Sequence, residues 1–313
     1  MTRNLITGGF GFIGRHLALL LADAGHEVTL FDVVQDPAFL EKGGGRIKAI
    51  RGSLANWSEV MDAVVATKPD CIYQSGAMLP PASEVSPQAA FQVNIVGTYN
   101  VLEASRLLNV SRLIYASTMT SFGPDSPPLV PDDYAQHPLS MYGTSKVCNE
   151  RLGEYYHRRF GLDFRAVRFP AIIGPRRAAT AGWTAYTSVA IEASAKGQPF
   201  TIRADWETTT DVLYVKDAAH SMIDLASAEA SRLTRRCYNL HGHLITASEL
   251  VEAIKRVIPE AQLTFAPDPV IVEGIKTMPR QLDDSMARRD WGWRPRYSLD
   301  ESIVDFVTTV RSS

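Results

Sequence analysis

The chain has 313 residues, of which 45% are hydrophobic and 21% are charged, so it can bury a large core without metals or disulfides. Its 32 Lys and Arg residues against 34 Asp and Glu residues give a formal net charge of -2, which provides no basic field for a nucleic-acid partner. The cysteines Cys71, Cys148 and Cys237 lack the spacing of a metal site or a disulfide framework. These features predict a cytoplasmic protein without a bound metal.

The start of the chain has no pattern typical of a targeting segment. Glycines interrupt the first apolar run, and the stretch at 17–22 is far shorter than the roughly 20 residues that a membrane span requires. The sequence therefore predicts no membrane partner.

Strand-like and helical patterns alternate along the first half of the chain. Predicted strands cover residues 4–7, 27–32, 47–51, 71–74, 112–117 and 164–168. Helical patterns lie between them at about 14–24, 56–67, 87–109 and 140–160. This alternation predicts an α/β fold with a Rossmann-type, doubly wound parallel sheet.

The second half is expected to form a smaller, interleaved lobe. We predict a first domain at 1–169 and a lobe at 170–313, with a return to the main sheet at about 208–228 through a strand and an apolar helix. Thr246 and Ser298 each stand three residues before a Glu, a spacing that predicts two helix starts.

A glycine-rich turn follows the first predicted strand, with Gly8, Gly11 and Gly14 in GxxGxxG spacing before a helix. Such a turn lets the backbone approach a pyrophosphate at the helix N-terminus. Asp32 ends the second strand, where a carboxylate accepts hydrogen bonds from a ribose and repels a 2′-phosphate. The pattern predicts a dinucleotide site that prefers NAD to NADP, and the alternative is a plain tight turn with a solvated Asp32.

Tyr142 and Lys146 are four residues apart in a helical pattern, so their side chains face the same side. A phenol with an ordinary pKa near 10 acts as a base at neutral pH only if nearby cations lower that pKa. Lys146 and a cationic nicotinamide can supply this field. The alternative is a surface helix with one half-buried Tyr.

Here the chain resembles the extended short-chain dehydrogenase/reductase family over nearly its whole length. The segments that carry the likeness are 8–14, Asp32, 94–104, 116–123, 142–146, 168–170, 214–217 and 291–295. The resemblance implies Thr118 as the catalytic hydroxyl, Tyr142 as the general acid/base, and Lys146 as its electrostatic partner and ribose ligand. It also implies NAD contacts by Gly8, Gly11, Phe12, Ile13, Asp32, Ser53, Leu54, Tyr142, Lys146, Phe169, Pro170 and Ile172.

Many extended relatives act on nucleotide sugars, but two of their typical substrate contacts are replaced here by Ala171 and Thr210. A closer likeness is to short-chain-type L-threonine 3-dehydrogenases, carried by segments 169–173, 180–186, 238–240 and 279–285. This chain departs from them in having Pro80 and Met278 where they have a Ser and a Trp. The likeness implies substrate contacts by Met78, Leu79, Pro80, Thr118, Thr180, Gly182, Trp183 and Thr184, although Trp183 and Met278 can also be read as simple packing.

The sequence thus predicts an NAD-dependent oxidoreductase that oxidises a secondary alcohol of a small polar substrate, such as a hydroxy acid, amino acid or sugar acid. Two alternatives remain at this point: a nucleotide-sugar epimerase or dehydratase that retains its NAD, and a noncatalytic NAD-dependent binding protein. A homodimer is expected, because the helical stretches at 87–109 and 140–160 resemble the family's intersubunit bundle. Apolar Val93, Val96, Val101 and Leu102 occur at helical spacing in the first stretch.

Overall fold

The computed structural model describes residues 1–177 and 182–312. Its strands are β1 (Arg3–Thr7), β2 (Glu27–Asp32), β3 (Ile47–Arg51), β4 (Cys71–Gln74), β5 (Arg112–Thr118), β6 (Leu129–Val130), β7 (Asp163–Phe169), β8 (Ala171–Ile173), β9 (Phe200–Ile202), β10 (Thr209–Tyr214), β11 (Cys237–Asn239), β12 (His243–Thr246), β13 (Leu263–Phe265) and β14 (Gln281–Leu282). Its α-helices are α1 (Phe12–Asp23), α2 (Pro37–Glu41), α3 (Trp57–Thr67), α4 (Ala82–Val85), α5 (Pro87–Ala90), α6 (Gly97–Leu107), α7 (Met141–Phe160), α8 (Tyr186–Ala195), α9 (Val215–Ser227), α10 (Ala247–Val257), α11 (Pro269–Lys276), α12 (Ser285–Trp291) and α13 (Leu299–Arg311).

The central sheet has seven parallel strands in the order β11-β7-β5-β4-β1-β2-β3. Its middle strands are apolar and almost fully buried, because helices cover both faces. The predicted Rossmann-type fold is confirmed. In such a sheet the ligand site lies at the carboxyl ends of the strands, near the point where the strand order reverses.

A smaller sheet has the order β12-β10-β8 and lies against a second apolar core. The prediction that the strand near 211–215 joins the main sheet is wrong, because β10 pairs with β8 and β12 instead. The chain returns through α9, which packs on α1, and through β11, which pairs with β7. The boundary at residue 170 stays a prediction.

Both predicted helix starts are confirmed as reciprocal caps. The Thr246 hydroxyl accepts from the Glu249 amide at 3.1 Å, and Ser298 and Glu301 form the same arrangement at the start of α13. Within residues 1–177 and 182–312, no helix is long and apolar enough to cross a membrane.

The predicted helix at 87–109 is divided into three segments. α5 leads into a π-helical turn, Phe91–Val96, and α6 follows it. The wider π turn often marks a functional site, and here it contains Asn94, whose side chain bonds both backbone groups of Met78 at 2.7 and 3.0 Å. The turn therefore fixes the loop that follows β4.

Candidate active site

One cavity of about 1420 Å³ lies along the carboxyl ends of the central strands. Thr180 lies outside the described residues. All the other residues predicted to contact NAD or substrate line this cavity: Gly8, Gly11, Phe12, Ile13, Asp32, Ser53, Leu54, Met78, Leu79, Pro80, Thr118, Tyr142, Lys146, Phe169, Pro170, Ile172, Gly182, Trp183 and Thr184.

The glycine turn forms one end of the cavity, and its close contacts require glycine. Gly8 has a φ of +63°, and a Cβ there would lie 2.6 Å from the Cα of Gly76. A Cβ on Gly14 would lie 2.3 Å from the Gly8 carbonyl oxygen. Helix α1 begins directly after this turn at Phe12, so its positive dipole end points to the cavity edge, where it can hold a pyrophosphate.

The Asp32 carboxylate is held at the end of β2 by two backbone amides. It accepts from Phe10 at 3.0 Å and from Val34 at 3.1 Å. The neighbouring Ser53 amide donates to Glu59 at 2.7 Å, which fixes the loop after β3. The sequence analysis had not singled out Glu59. Its place in the first turn of α3 is the signal that could have found it. These groups can form an adenosine pocket with a carboxylate acceptor for ribose hydroxyls.

Thr118, Tyr142 and Lys146 meet in the middle of the cavity. Thr118 ends β5, and the other two lie in the first two turns of α7. The Lys146 ammonium donates to the Ala116 carbonyl at 2.6 Å and lies 5.4 Å from the centre of the Tyr142 ring. The structure therefore brings the three predicted catalytic residues together.

Burial has the largest effect on the pKa values of Tyr142 and Lys146. It raises the pKa of Tyr142, while a hydrogen bond with Thr118 and the charge of Arg177 act to lower that pKa. Burial lowers the pKa of Lys146 to about 7, opposed by Glu150. The described cations do not offset this loss of solvation, and the prediction that Lys146 together with a bound cationic nicotinamide lowers the pKa of Tyr142 stays a prediction.

Arg177 brings a partly buried cation to the same part of the cavity. It donates to the Ile172 carbonyl at 2.5 Å and to the Thr184 hydroxyl at 3.1 Å. Burial lowers the pKa of Arg177 to about 10, opposed by Tyr142. Arg177 was not among the substrate contacts predicted from the sequence, and its position two residues after Pro175 is the only local signal for it.

Glu84 was missed by the sequence analysis. Its carboxylate accepts from the backbone amides of Met141 at 2.9 Å and Tyr142 at 3.2 Å. Ser140 caps the same helix by accepting from the Gly143 amide at 2.9 Å. Glu84 lies far from α7 in the chain, so no local spacing indicates this contact. It connects the loop after β4 to the first turn of α7, which contains Tyr142.

A buried ion pair helps to join the elements that carry Thr118, Tyr142 and Lys146. Arg168 donates to Glu150 at 2.7 Å, and both side chains are almost completely buried. The Ser117 hydroxyl donates to the same carboxylate at 2.5 Å. These contacts join β5, α7 and β7, so removing one partner would leave an uncompensated buried charge.

The far end of the cavity is lined by apolar groups. The Trp183 indole lies against Gly274 in α11, where a Cβ would be 2.5 Å from two ring atoms. Pro80 and Met278, the two departures from the threonine dehydrogenase pattern, both line this cavity. The Thr210 hydroxyl lies 3.1 Å from the Tyr186 hydroxyl, so no charged side chain stands at this position.

Comparisons with known proteins agree with this geometry. The sequence profile of the NAD dependent epimerase/dehydratase family matches residues 4–240. The mitochondrial L-threonine 3-dehydrogenase of Sus scrofa is 33% identical over 308 residues, covering 97% of this chain and 82% of the relative. A GalE-like L-threonine dehydrogenase from Cupriavidus necator, solved in its holo form, superposes with a TM-score of 0.91 at 29% identity, covering 98% and 99% of the two chains.

A monomeric L-threonine 3-dehydrogenase from a metagenome, solved in its apo form, has a TM-score of 0.89 and 25% identity, with 99% of each chain covered. The glycine turn, Asp32 and the Thr118, Tyr142 and Lys146 group all fit an NAD site. The chain therefore belongs to the NAD dependent epimerase/dehydratase family and is an NAD-dependent enzyme of the extended short-chain dehydrogenase/reductase type.

Proposed function

We propose that the protein is a dehydrogenase that oxidises a secondary alcohol of a small hydroxy or amino acid. Tyr142 takes the hydroxyl proton, Thr118 orients the substrate oxygen, and Lys146 holds the nicotinamide ribose and stabilises the phenolate. When bound, NAD accepts the hydride from the carbinol carbon. The observation that carries the proposal is the meeting of Thr118, Tyr142 and Arg177 in one cavity.

The substrate class follows from the charge that lies beside Tyr142. Arg177 lies beside Thr184 and Tyr142, where a guanidinium and a hydroxyl can bind a carboxylate. A nucleotide diphosphate needs several such donors, but Ala171 and Thr210 stand at two of the expected positions. This supports a compact substrate with one carboxylate over a nucleotide sugar.

The predicted contacts remain part of this proposal. The phosphate and adenosine contacts are those of the glycine turn, Asp32, Ser53 and Leu54, and the nicotinamide contacts are those of residues 169–172. Substrate would lie between the loop 78–80 and Trp183, with Thr180 included by sequence alone. Their common position along one cavity supports this division.

A screen for NADH release tests the proposal. Purified protein is mixed with NAD and, separately, L-threonine, other small hydroxy and amino acids, sugar acids, and UDP- or GDP-sugars, and absorbance of NADH is followed. We expect NADH with at least one small acid and none with a nucleotide sugar, and the Tyr142→Phe variant serves as the control. Epimerisation of a nucleotide sugar without net NADH would overturn the proposal, as would NAD binding without turnover of any compound.

We also propose that the protein is a homodimer. Val101 and Leu102, which the sequence had suggested for the interface, are buried in the chain's own core. Support comes instead from exposed aromatic residues along α6 and α7, namely Tyr99, Tyr155 and Phe160. Light scattering at micromolar concentration should give twice the chain mass, and a strictly monomeric mass would contradict the proposal.

The cytoplasmic location is a proposal supported by the cysteines. Cys71, Cys148 and Cys237 are all free thiols, and two of them are buried in the core. Free thiols are typical of a reducing compartment. Fractionation of the source cells tests the location, and recovery in an oxidising compartment would contradict it.

A further inference from the structure

Arg15 follows the glycine turn directly and is held in place by four contacts. Its Nε donates to the Phe10 carbonyl at 2.8 Å, and its Nη1 contacts the Asp36 carboxylate at 2.7 Å. Its guanidinium lies 4.8 Å from the ring centre of Phe39 and 5.5 Å from that of Phe10. No role in the chemistry described above requires this cluster.

The cluster lies next to the ribose end of the NAD site. The Phe10 amide donates to the Asp32 carboxylate, and the Phe10 carbonyl accepts from Arg15. Phe10 alone therefore connects the Arg15 guanidinium to the carboxylate that is predicted to accept from the ribose. A phosphate on the ribose 2′-oxygen would enter this region. A guanidinium is the side chain best suited to bind such a phosphate, because it offers two parallel N–H donors.

Asp36 gives this guanidinium a competing partner. The pair is only partly buried, with side-chain exposures of 23% for Arg15 and 32% for Asp36, and the bond from the Arg15 Nε to the Phe10 carbonyl keeps the guanidinium beside Asp36. Asp36 also caps α2 by accepting from the Phe39 amide at 3.1 Å. Its carboxylate therefore stays oriented toward the guanidinium.

We propose that Asp36 is a cofactor-specificity residue, which holds Arg15 in an ion pair and so withholds it from the 2′-phosphate of NADP. Discrimination against NADP then has two parts: Asp32 repels the phosphate, and Asp36 removes the cation that would otherwise attract it. NAD has no phosphate at this position, so its binding does not depend on the pair.

The test compares cofactor binding by calorimetric titration of the purified protein with NAD and with NADP. Asp36→Asn keeps an oxygen to cap α2 and removes the charge. We expect the NADP affinity to rise about tenfold, equal to about 1.4 kcal/mol, while the NAD affinity changes less than about twofold. Asp268→Asn is a matched control, because Asp268 also caps a helix and contacts an arginine, Arg203, at 3.1 Å.

A double variant separates the effect of Arg15 from that of other cations, including Arg176, which lines the cavity. Adding Arg15→Ala to Asp36→Asn should abolish the gain in NADP affinity. An unchanged NADP affinity in Asp36→Asn would overturn the proposal. A gain that persists without Arg15 would also overturn it, since the effect would then come from loss of the Asp36 charge alone. These titrations use no substrate, so a failure of the proposed reaction leaves their outcome readable.

Discussion

Gly274→Ala is expected to weaken substrate binding through Trp183. The added Cβ would lie 2.5 Å from Cδ2 and Cε2 of the indole and 2.8 Å from its Nε1. Ordinary carbon contacts are about 3.5–4.0 Å, so the ring and the helix must separate by about 1 Å. Alanine is itself better than glycine in a helix by about 1 kcal/mol, so any loss comes from the contact with the indole.

Overpacking of this kind costs about 1–3 kcal/mol, and the partly exposed Trp183 can relieve it by moving within the substrate end of the cavity. We expect the substrate KM to rise about fivefold or more, with the NAD affinity unchanged, since Gly274 lies far from the glycine turn. Steady-state kinetics and NAD titration measure both, and tryptophan fluorescence reports the displacement. In a Trp183→Ala background, Gly274→Ala should no longer change the KM. An unchanged KM in Gly274→Ala alone would show that the contact with Trp183 does not affect substrate binding.

Three further predictions concern α7. Tyr142→Phe should lower turnover by about 10² to 10⁴ while NAD titration shows retained binding. Lys146→Met should impair both turnover and NAD binding. Near-normal turnover of Tyr142→Phe would contradict the proposed proton transfer. Because burial lowers the pKa of Lys146 from 10.5 to about 7, the unfolded chain binds more protons in this window, so Lys146 should add stability as the pH rises from 7 toward 10.5. Denaturant titrations should show that gain as a difference from Lys146→Met, and a constant difference would contradict it. Glu84→Ala should reduce kcat several-fold with NAD affinity unchanged, because two amide contacts of α7 are lost, and Glu84→Gln should recover part of the rate.

The sequence was most informative where the structure depends on local pattern. Strand-like runs between helical patterns located six of the seven strands of the central sheet, all but β11. Glycine spacing located the turn whose contacts leave no room for a Cβ. Capping spacing located the starts of α10 and α13. The predicted catalytic group rested on helical spacing and family resemblance together, since Tyr142 and Lys146 alone form a common pattern.

Contacts between distant segments were not predictable in this way. Glu84 reaches the amides of α7 only because the loop after β4 folds against it, and nothing near Glu84 in the chain indicates this. The strand pattern of β10 was correct, but its partner was not, because alternating residues of β10 face two different cores. The π turn at Asn94 likewise depends on tertiary bonds to Met78.

Isotope transfer distinguishes net hydride transfer from a small alcohol to NAD from a reaction that retains the hydride. The substrate identified by the NADH screen is prepared with deuterium on its carbinol carbon, and products are quantified by mass spectrometry. We expect one deuterated NADH and one ketone for each substrate molecule consumed, with both products lost in Tyr142→Phe. Return of the deuterium to an epimerised product, without free NADH or ketone, would contradict it.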